Sequence, residues 1–317
     1  MSDNVKKTDL IIIGCGSIAM EYVSIVKDLG KVVHVFGRGI KSAENFTQKT
    51  NLEVCLVPVS TYYINKTKVP KQAIVAVNVD TLKDVTVQLI KVGVKHILVE
   101  KPGGLNLKEI KEIYDLAKKH KAKVFIAYNR RFFSSVIELK KRVKKEGLLS
   151  VKFDFTEWAQ RIEGIQKNKL ILENWFLANT THVIDLAFSF MGQPKKMVSN
   201  VAPGLKWHKN AVYSGSGISK KNVVFSYHAN WISGGRWMLE CFTKENRYLL
   251  CPMEELQVQK LNSIIVEKVD IDDEFDKKYK PGFYLQTKCF LQAKFSDLCS
   301  IDEHYLNTKT IYSKINA

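Results

Sequence analysis

The feature that most constrains this chain is a short apolar run ending in glycines. Asp9-Leu-Ile-Ile-Ile13 suits a central parallel strand buried on both faces, and it leads straight into Gly14-Cys15-Gly16-Ser17-Ile18-Ala19. From Ser17 to Gly30 the sequence reads as a helix closed by a glycine. A G-x-G-x-x-A run between a strand and a helix fixes the backbone at three points. Gly14 allows the tight turn, Gly16 lets a pyrophosphate approach the backbone, and Ala19 permits close helix–strand packing. Ser17 and Ile18 open the helix, where unpaired N–H groups favour a phosphate. This spacing predicts a dinucleotide-binding Rossmann domain.

The next strand, Lys31 to Phe36, ends in Gly37-Arg38-Gly39. Sites selective for NAD usually carry an acidic residue near this point, roughly 20 residues past the glycines, to hold the ribose 2′-hydroxyl. Here Gly37 takes that position and a basic residue follows. A guanidinium pairs with a 2′-phosphate through forked, charge-assisted bonds, so Arg38 points to NADP(H), with NAD(H) the weaker choice. Lys41 and Ser42 are near enough in sequence to help. The plainer reading of Arg38 is an exposed loop arginine.

Further along, Gln72–Val77 reads as a strand, Thr81–Gly93 as a helix, and His96–Val99 as a strand running into Glu100-Lys101-Pro102-Gly103-Gly104. A helix Asn106–His120 follows, with Asn106 and Glu109 at capping-box spacing, then a strand Lys123–Ala127 and Tyr128-Asn129-Arg130-Arg131-Phe132. The later run Asn174-Trp-Phe-Leu-Ala178-Asn179-Thr180-Thr181-His182-Val-Ile-Asp185-Leu186 has the look of an active-site helix. In this order these motifs resemble the Gfo/Idh/MocA family of sugar and cyclitol oxidoreductases, whose hallmark is Glu-Lys-Pro at a strand end. The resemblance implies a cofactor role for Asn78, Glu100 and Lys101, with Lys101 close to the nicotinamide ribose and the substrate hydroxyl. Two departures matter. The family's Thr-Pro and histidine after the fourth strand are replaced by Val77-Asn78-Val79-Asp80-Thr81-Leu82, and the usual Asp-x-x-x-His has Ala178 at its acidic position.

The candidate chemistry rests on two residues. Lys101 ends a parallel strand, where open α/β sheets bind ligands, and a cation there stabilises an alkoxide or shares its proton. His182 lies on an otherwise apolar helix, Thr180–Met191, where His182, Asp185 and Ser189 form one polar stripe at i, i+3 and i+7. It is either a general acid/base or a structural histidine within a hydrogen-bonded network. With no carboxylate at position 178, Asn174, Asn179, Thr180 and Thr181 become candidate ligands for sugar hydroxyls. Asp185 either joins them or orients the helix or an arginine, and Arg130 and Arg131 suit either a substrate anion or interdomain salt bridges.

The expected architecture is α/β: residues 1–128 as a Rossmann domain with a doubly wound parallel sheet, and 129–317 as an α+β substrate-binding and oligomerisation domain with a large, mainly antiparallel sheet. In the second part a helix Ser134–Glu146 precedes strands at Val151–Trp158, Lys196–Val201, Ala211–Gly215, Val223–Trp231, Trp237–Thr243, Tyr248–Cys251 and Leu256–Lys260. The strands around Tyr227–Trp231 and Trp237–Cys241 read as neighbours joined through Ser233-Gly234-Gly235. Final helices at Phe283–Asp297 and Asp302–Ile315 are expected to pack back on the first domain. The family resemblance implies a homodimer or homotetramer through the open face of the sheet.

Composition closes off several alternatives. The formal charge is +17, but the lysines are spread along helix faces without one dense tract or a recognised nucleic-acid motif, so no nucleic-acid partner is expected. Six cysteines show no CxxC and no His/Cys cluster, which argues against a metal site and a disulfide framework. No run approaches ~18 apolar residues, and Met1–Thr8 is polar without a signal-peptide core, so the expected location is the cytoplasm, away from membranes. These features point to an NADP(H)-dependent oxidoreductase moving a hydride to or from a hydroxyl or carbonyl of a sugar, cyclitol or sugar nucleotide, phosphorylated or not. The alternative is an NADPH-binding regulator that has lost catalysis with its acidic residue.

Overall fold

The computed structural model describes residues 10–64, 68–165 and 168–317; the polar opening segment lies outside them. The chain forms two compact units. Among the described residues, one holds 10–127 together with Phe283–Tyr305, and the other holds Tyr128–Gly282 with Leu306–Ala317, so the expectation that both final helices join the first domain is corrected: from Leu306 on, the last one belongs to the second unit. Among the described residues no helix is long and apolar enough to cross a membrane.

In the first unit, strands β1 (Leu10–Ile13), β2 (Val33–Phe36), β3 (Val54–Cys55), β4 (Gln72–Val75), β5 (His96–Val99) and β6 (Lys123–Ile126) form one sheet in the order β6-β5-β4-β1-β2-β3. All five pairings are parallel. A two-residue strand, Cys299–Ser300, adds antiparallel to β6 and ends the sheet. Every residue of β1 is buried, as a strand covered on both faces requires. Strand order reverses between β1 and β4, so the loops after these two strands diverge and leave a crevice at their carboxyl ends. The helix Ser17–Asp28 buries Ala19, Tyr22, Val23, Ile25 and Val26 along one stripe and stops before Gly30, whose φ of +66° suits glycine. In the helix Leu107–Lys119, the Asn106 side chain accepts the Glu109 N–H at 3.0 Å. Glu109 reaches back to the N–H of Leu105, not Asn106, so the capping box is shifted by one residue. The segment beginning at Phe283 is tied in by stacking of Phe125 on Phe295 and by Gln72 donating to the Phe290 carbonyl at 2.9 Å.

The second unit carries β7 (Leu148–Asp154), β8 (Pro194–Ala202), β9 (Val212–Ser219), β10 (Val224–Asn230), β11 (Met238–Thr243), β12 (Asn246–Leu250), β13 (Gln257–Lys260) and β14 (Val266–Lys268), in the order β14-β13-β12-β11-β7-β10-β9-β8. Only β7 and β10 run parallel. The expected pairing of β10 with β11 is corrected: β7 lies between them, with Ser150 opposite Val224 on one side and Asp154 opposite Met238 on the other. The glycine-containing connection from Asn230 to Met238 therefore crosses the width of an intervening strand, roughly 10 Å, and makes no tight hairpin. One sheet face is aromatic. Phe188 of the helix Thr181–Met191 meets Phe153 and Phe225 with ring centroids 6.2 and 5.3 Å apart. Phe176 stacks on Tyr213, and Trp231 is fully enclosed against Tyr213 and His208. Alternate residues on the other face, among them Lys152, Ser226 and His228, are exposed.

Burial against Trp231 has a pH consequence. It depresses the proton affinity of His208, although Nδ1 lies 2.7 Å from the Asn210 carbonyl, a contact that pulls the other way. A folded-state value below the unfolded one, about 6.5, means that the unfolded chain takes up the proton first. Stability should therefore fall as pH drops through and below that value. A His208→Phe variant should show a smaller difference in denaturant midpoint between neutral and mildly acidic pH than the wild type.

Candidate cofactor and substrate sites

Loops at the carboxyl ends of β1, β2 and β4 enclose a groove of about 510 Å³. Its walls include Gly14, Gly16, Gly37, Arg38, Ser42 and Asn78, so four residues singled out for the cofactor (Gly14, Gly16, Arg38, Asn78) share one surface. Ser17 is exposed and Ile18 half-buried in the first helical turn, whose N-terminus has no side-chain cap. Backbone N–H groups there are available to an anion. Gly14 sits at φ +122°, and a Cβ on it would fall 2.1 Å from the Ala76 carbonyl oxygen. A Cβ on Gly16, by contrast, would meet nothing within 4 Å, which leaves its backbone open to a ligand. The residues therefore fit a dinucleotide. A Gly14→Ala variant is expected to lose nucleotide binding by at least about a hundredfold, because backbone must move at the turn; unchanged affinity in a titration would refute this.

The end of β2 carries the discriminating geometry. A Cβ at Gly37 would lie 2.8 Å from Cys15 Sγ and 2.9 Å from Val54 Cγ1, so an acidic side chain there requires both neighbours to move. Arg38 is exposed beside it, with no ion pair among the described residues, while Asp84 on the same groove is paired with Lys83 at 2.5 Å. Cys15 itself is buried, and desolvation pushes its thiol up.

Glu100 and Lys101 follow β5 and are not among the walls of that groove. Glu100 accepts the Tyr22 hydroxyl at 2.7 Å, and burial together with this carboxylate holds the tyrosine well above its ordinary pKa. Lys101 is half-buried, and the next residue is anchored by His304, whose Nε2 is 2.8 Å from the Pro102 carbonyl. Tyr22 and His304 thus brace the strand end that presents Lys101, a support the sequence did not reveal.

In the second unit the helix carrying His182 is preceded by a wide π turn, Phe176–Thr180. His182 is 5% exposed, edge-on to Tyr128 at 5.6 Å and tilted against Trp237 at 6.0 Å. Thr181 donates to the Leu177 carbonyl and accepts from Tyr128, Asn174 donates to the Leu170 carbonyl, and Asn179 donates to Glu157. Each of these three expected substrate ligands therefore has a side-chain bond inside the protein. Asp185 is fully buried, with both carboxylate oxygens held at 2.7 Å by Arg131. That geometry matches the orienting alternative for Asp185 and separates Arg131 from Arg130. Ala178 is buried at the acidic position. Beside it, the buried carboxylate of Glu157 accepts from both Asn179 Nδ2 and Thr180 Oγ1 at 2.9 Å. Sequence reasoning misses Glu157 because it follows β7 by three residues and meets this helix only through the fold; its one signal is an acidic residue at the next position of the apolar alternation Val151, Phe153, Phe155.

Residues 9–128 match a family model described as an oxidoreductase family with an NAD-binding Rossmann fold, Gfo/Idh/MocA. No curated protein matches the chain. Among solved structures, UDP-N-acetylglucosamine 3-dehydrogenase GnnA from Acidithiobacillus ferrooxidans is similar over 97% of this chain and 96% of its own, at TM-score 0.75 and 13% identity. A dehydrogenase (MviM) from Clostridium difficile aligns over 98% of this chain and 99% of its own, at TM-score 0.76 and 16% identity. Levoglucosan dehydrogenase, solved with NADH and levoglucosan, covers 97% and 96%, at TM-score 0.76 and 16% identity. At these identities the likeness is one of fold along nearly the whole chain. The glycine loop, the Glu-Lys-Pro strand end and the matched segment agree: residues 9–128 are similar to the NAD-binding Rossmann part of the Gfo/Idh/MocA oxidoreductase family.

Proposed function

We propose that the protein is an NADP(H)-dependent oxidoreductase acting on a hydroxyl or carbonyl carbon of a sugar, cyclitol or sugar nucleotide. The observation that carries the cofactor choice is the end of β2, where Gly37 lacks room for an acidic side chain and Arg38 stands exposed on the groove. The first unit serves as the cofactor domain and the second as the substrate domain. A carbohydrate substrate is supported by the names of two proteins of similar fold, the UDP-N-acetylglucosamine and levoglucosan dehydrogenases. When bound, the nicotinamide supplies or accepts the hydride. Lys101 steadies the developing alkoxide by its charge, and His182 exchanges the hydroxyl proton. Asp185, through Arg131, sets the rotation of the helix that presents His182, and Asn174, Asn179 and Thr181 shape its approach to the sugar. The protein works in the cytoplasm as a homodimer or homotetramer, which light scattering tests.

The deciding experiment is a fluorescence titration with NADPH and NADH at fixed salt, on the wild type and Arg38→Ala. NADPH should bind more tightly, and the variant should lose about tenfold to a hundredfold for NADPH alone, the worth of charge-assisted hydrogen bonds. Equal affinity of the variant for NADPH rejects the assignment. The buried Ala178 favours a second reading, an NADPH-binding regulator. That reading requires NADPH binding without isotope exchange with any sugar.

A further inference from the structure

Beside His182 the second unit concentrates cationic side chains that the proposed hydride chemistry does not use. The Arg130 guanidinium carbon lies 4.3 Å from the Trp237 ring centre, and that of Arg236 lies 4.4 Å from the same centre. The two cations are therefore no more than about 9 Å apart, close enough to repel each other in a partly desolvated setting. Arg236 also sits 4.8 Å from Trp158, where a third guanidinium, Arg161, approaches to 5.7 Å. Trp237 in turn faces His182.

Two carboxylates act on the guanidinium groups of Arg130 and Arg236. Glu157 touches Arg236 through one contact at 3.5 Å while accepting from Asn179 and Thr180, and Glu254 acts on Arg130 only electrostatically. Among the described residues the guanidinium of Arg130 makes no hydrogen bond, and its Nε is fully enclosed. Burial, reinforced by Arg236, pulls it down to about 10 against the attraction of Glu254 and Glu157, so it stays a cation at neutral pH. Its neighbour Arg131 is the opposite case, with its fork filled by Asp185. A partly desolvated guanidinium with an enclosed, unpartnered Nε is costly in isolation, and an oxyanion brought to it offsets that cost.

We infer that Arg130 and Arg236, held on the indole of Trp237, form an oxyanion subsite next to His182, and that the substrate is a carbohydrate bearing an acidic group. This deepens the oxidoreductase reading and rests on it for the word substrate. The shared chemistry is a carboxylate or a phosphate carried by the sugar.

The test reads binding, not turnover. Protein labelled with 5-fluorotryptophan, its Trp237 resonance assigned with Trp237→Phe, is titrated with D-glucuronate, D-glucose 6-phosphate and D-glucose. The acidic sugars should shift the Trp237 resonance and bind at least about tenfold more tightly than glucose. Arg130→Gln, and separately the half-exposed Arg236→Gln, should abolish that preference. The tighter of the two acids identifies carboxylate or phosphate. Equal binding of acidic and neutral sugars, an unmoved Trp237 resonance, or a preference that survives both variants overturns the subsite. Acid-selective binding without turnover of any sugar leaves the subsite standing and removes the oxidoreductase reading; turnover of neutral sugars without acid preference does the reverse.

Discussion

Replacing His182 by Asn is expected to slow the proton-coupled hydride step by about 10²–10⁴-fold while NADPH affinity stays within about twofold. The asparagine keeps a planar polar side chain between Tyr128 and Trp237, so packing is largely preserved. What it loses is the imidazole, the side chain suited to exchanging protons near neutral pH. The measurement is single-turnover NADPH oxidation with an accepted sugar, repeated with deuterated cofactor. A slower rate with unchanged substrate binding places the loss in the transition state. A variant within about tenfold of wild type would return His182 to its structural alternative, pinned by two aromatic rings, and Lys101→Met would then be the decisive variant. Retention of rate in both would remove the proposed proton chemistry altogether.

The parts of this fold that were legible in the sequence are those fixed by neighbours along the chain. Buried strands such as His96–Val99, the helix Ser134–Glu146 and the glycine loop after Ile13 declare themselves through apolar runs, periodicity and backbone demands within a few residues. Pairing between distant segments does not. Strand β7 slots between β10 and β11 because Val151 and Phe153 have partners on both sides, and nothing in Ser233-Gly234-Gly235 encodes that insertion. The same limit governs the sites. Gly14, Gly16 and Arg38 could be singled out as candidates because the glycine motif and the end of β2 are local features, and the fold places all three on one groove. The cysteine packed where a Cβ of Gly37 would go, and Glu157 receiving Asn179 and Thr180 from 22 and 23 residues away, arise only when the strands assemble. Arg130 and Arg131, adjacent and equivalent in sequence, acquire different surroundings because the first lies over Trp237 and the second meets Asp185.

That second contact sets the largest stability effect expected here. Arg131 Nε and Nη2 each reach an oxygen of Asp185 at 2.7 Å, and the two side chains are 6% and 0% exposed. Desolvating both ions is costly, and the bidentate geometry offsets that cost only while both are present. Asp185→Ala should therefore lose about 3–5 kcal/mol, because it strands a guanidinium in the interior, and Arg131→Met should lose a similar amount by stranding the carboxylate. The double variant Arg131→Met/Asp185→Leu should recover much of that loss, since neither buried charge remains. Urea unfolding of the four proteins at one pH measures the cycle. Single variants that lose less than about 1 kcal/mol would mean that water reaches the pair, and the helix presenting His182 would then owe its orientation to Phe188 and its aromatic neighbours instead.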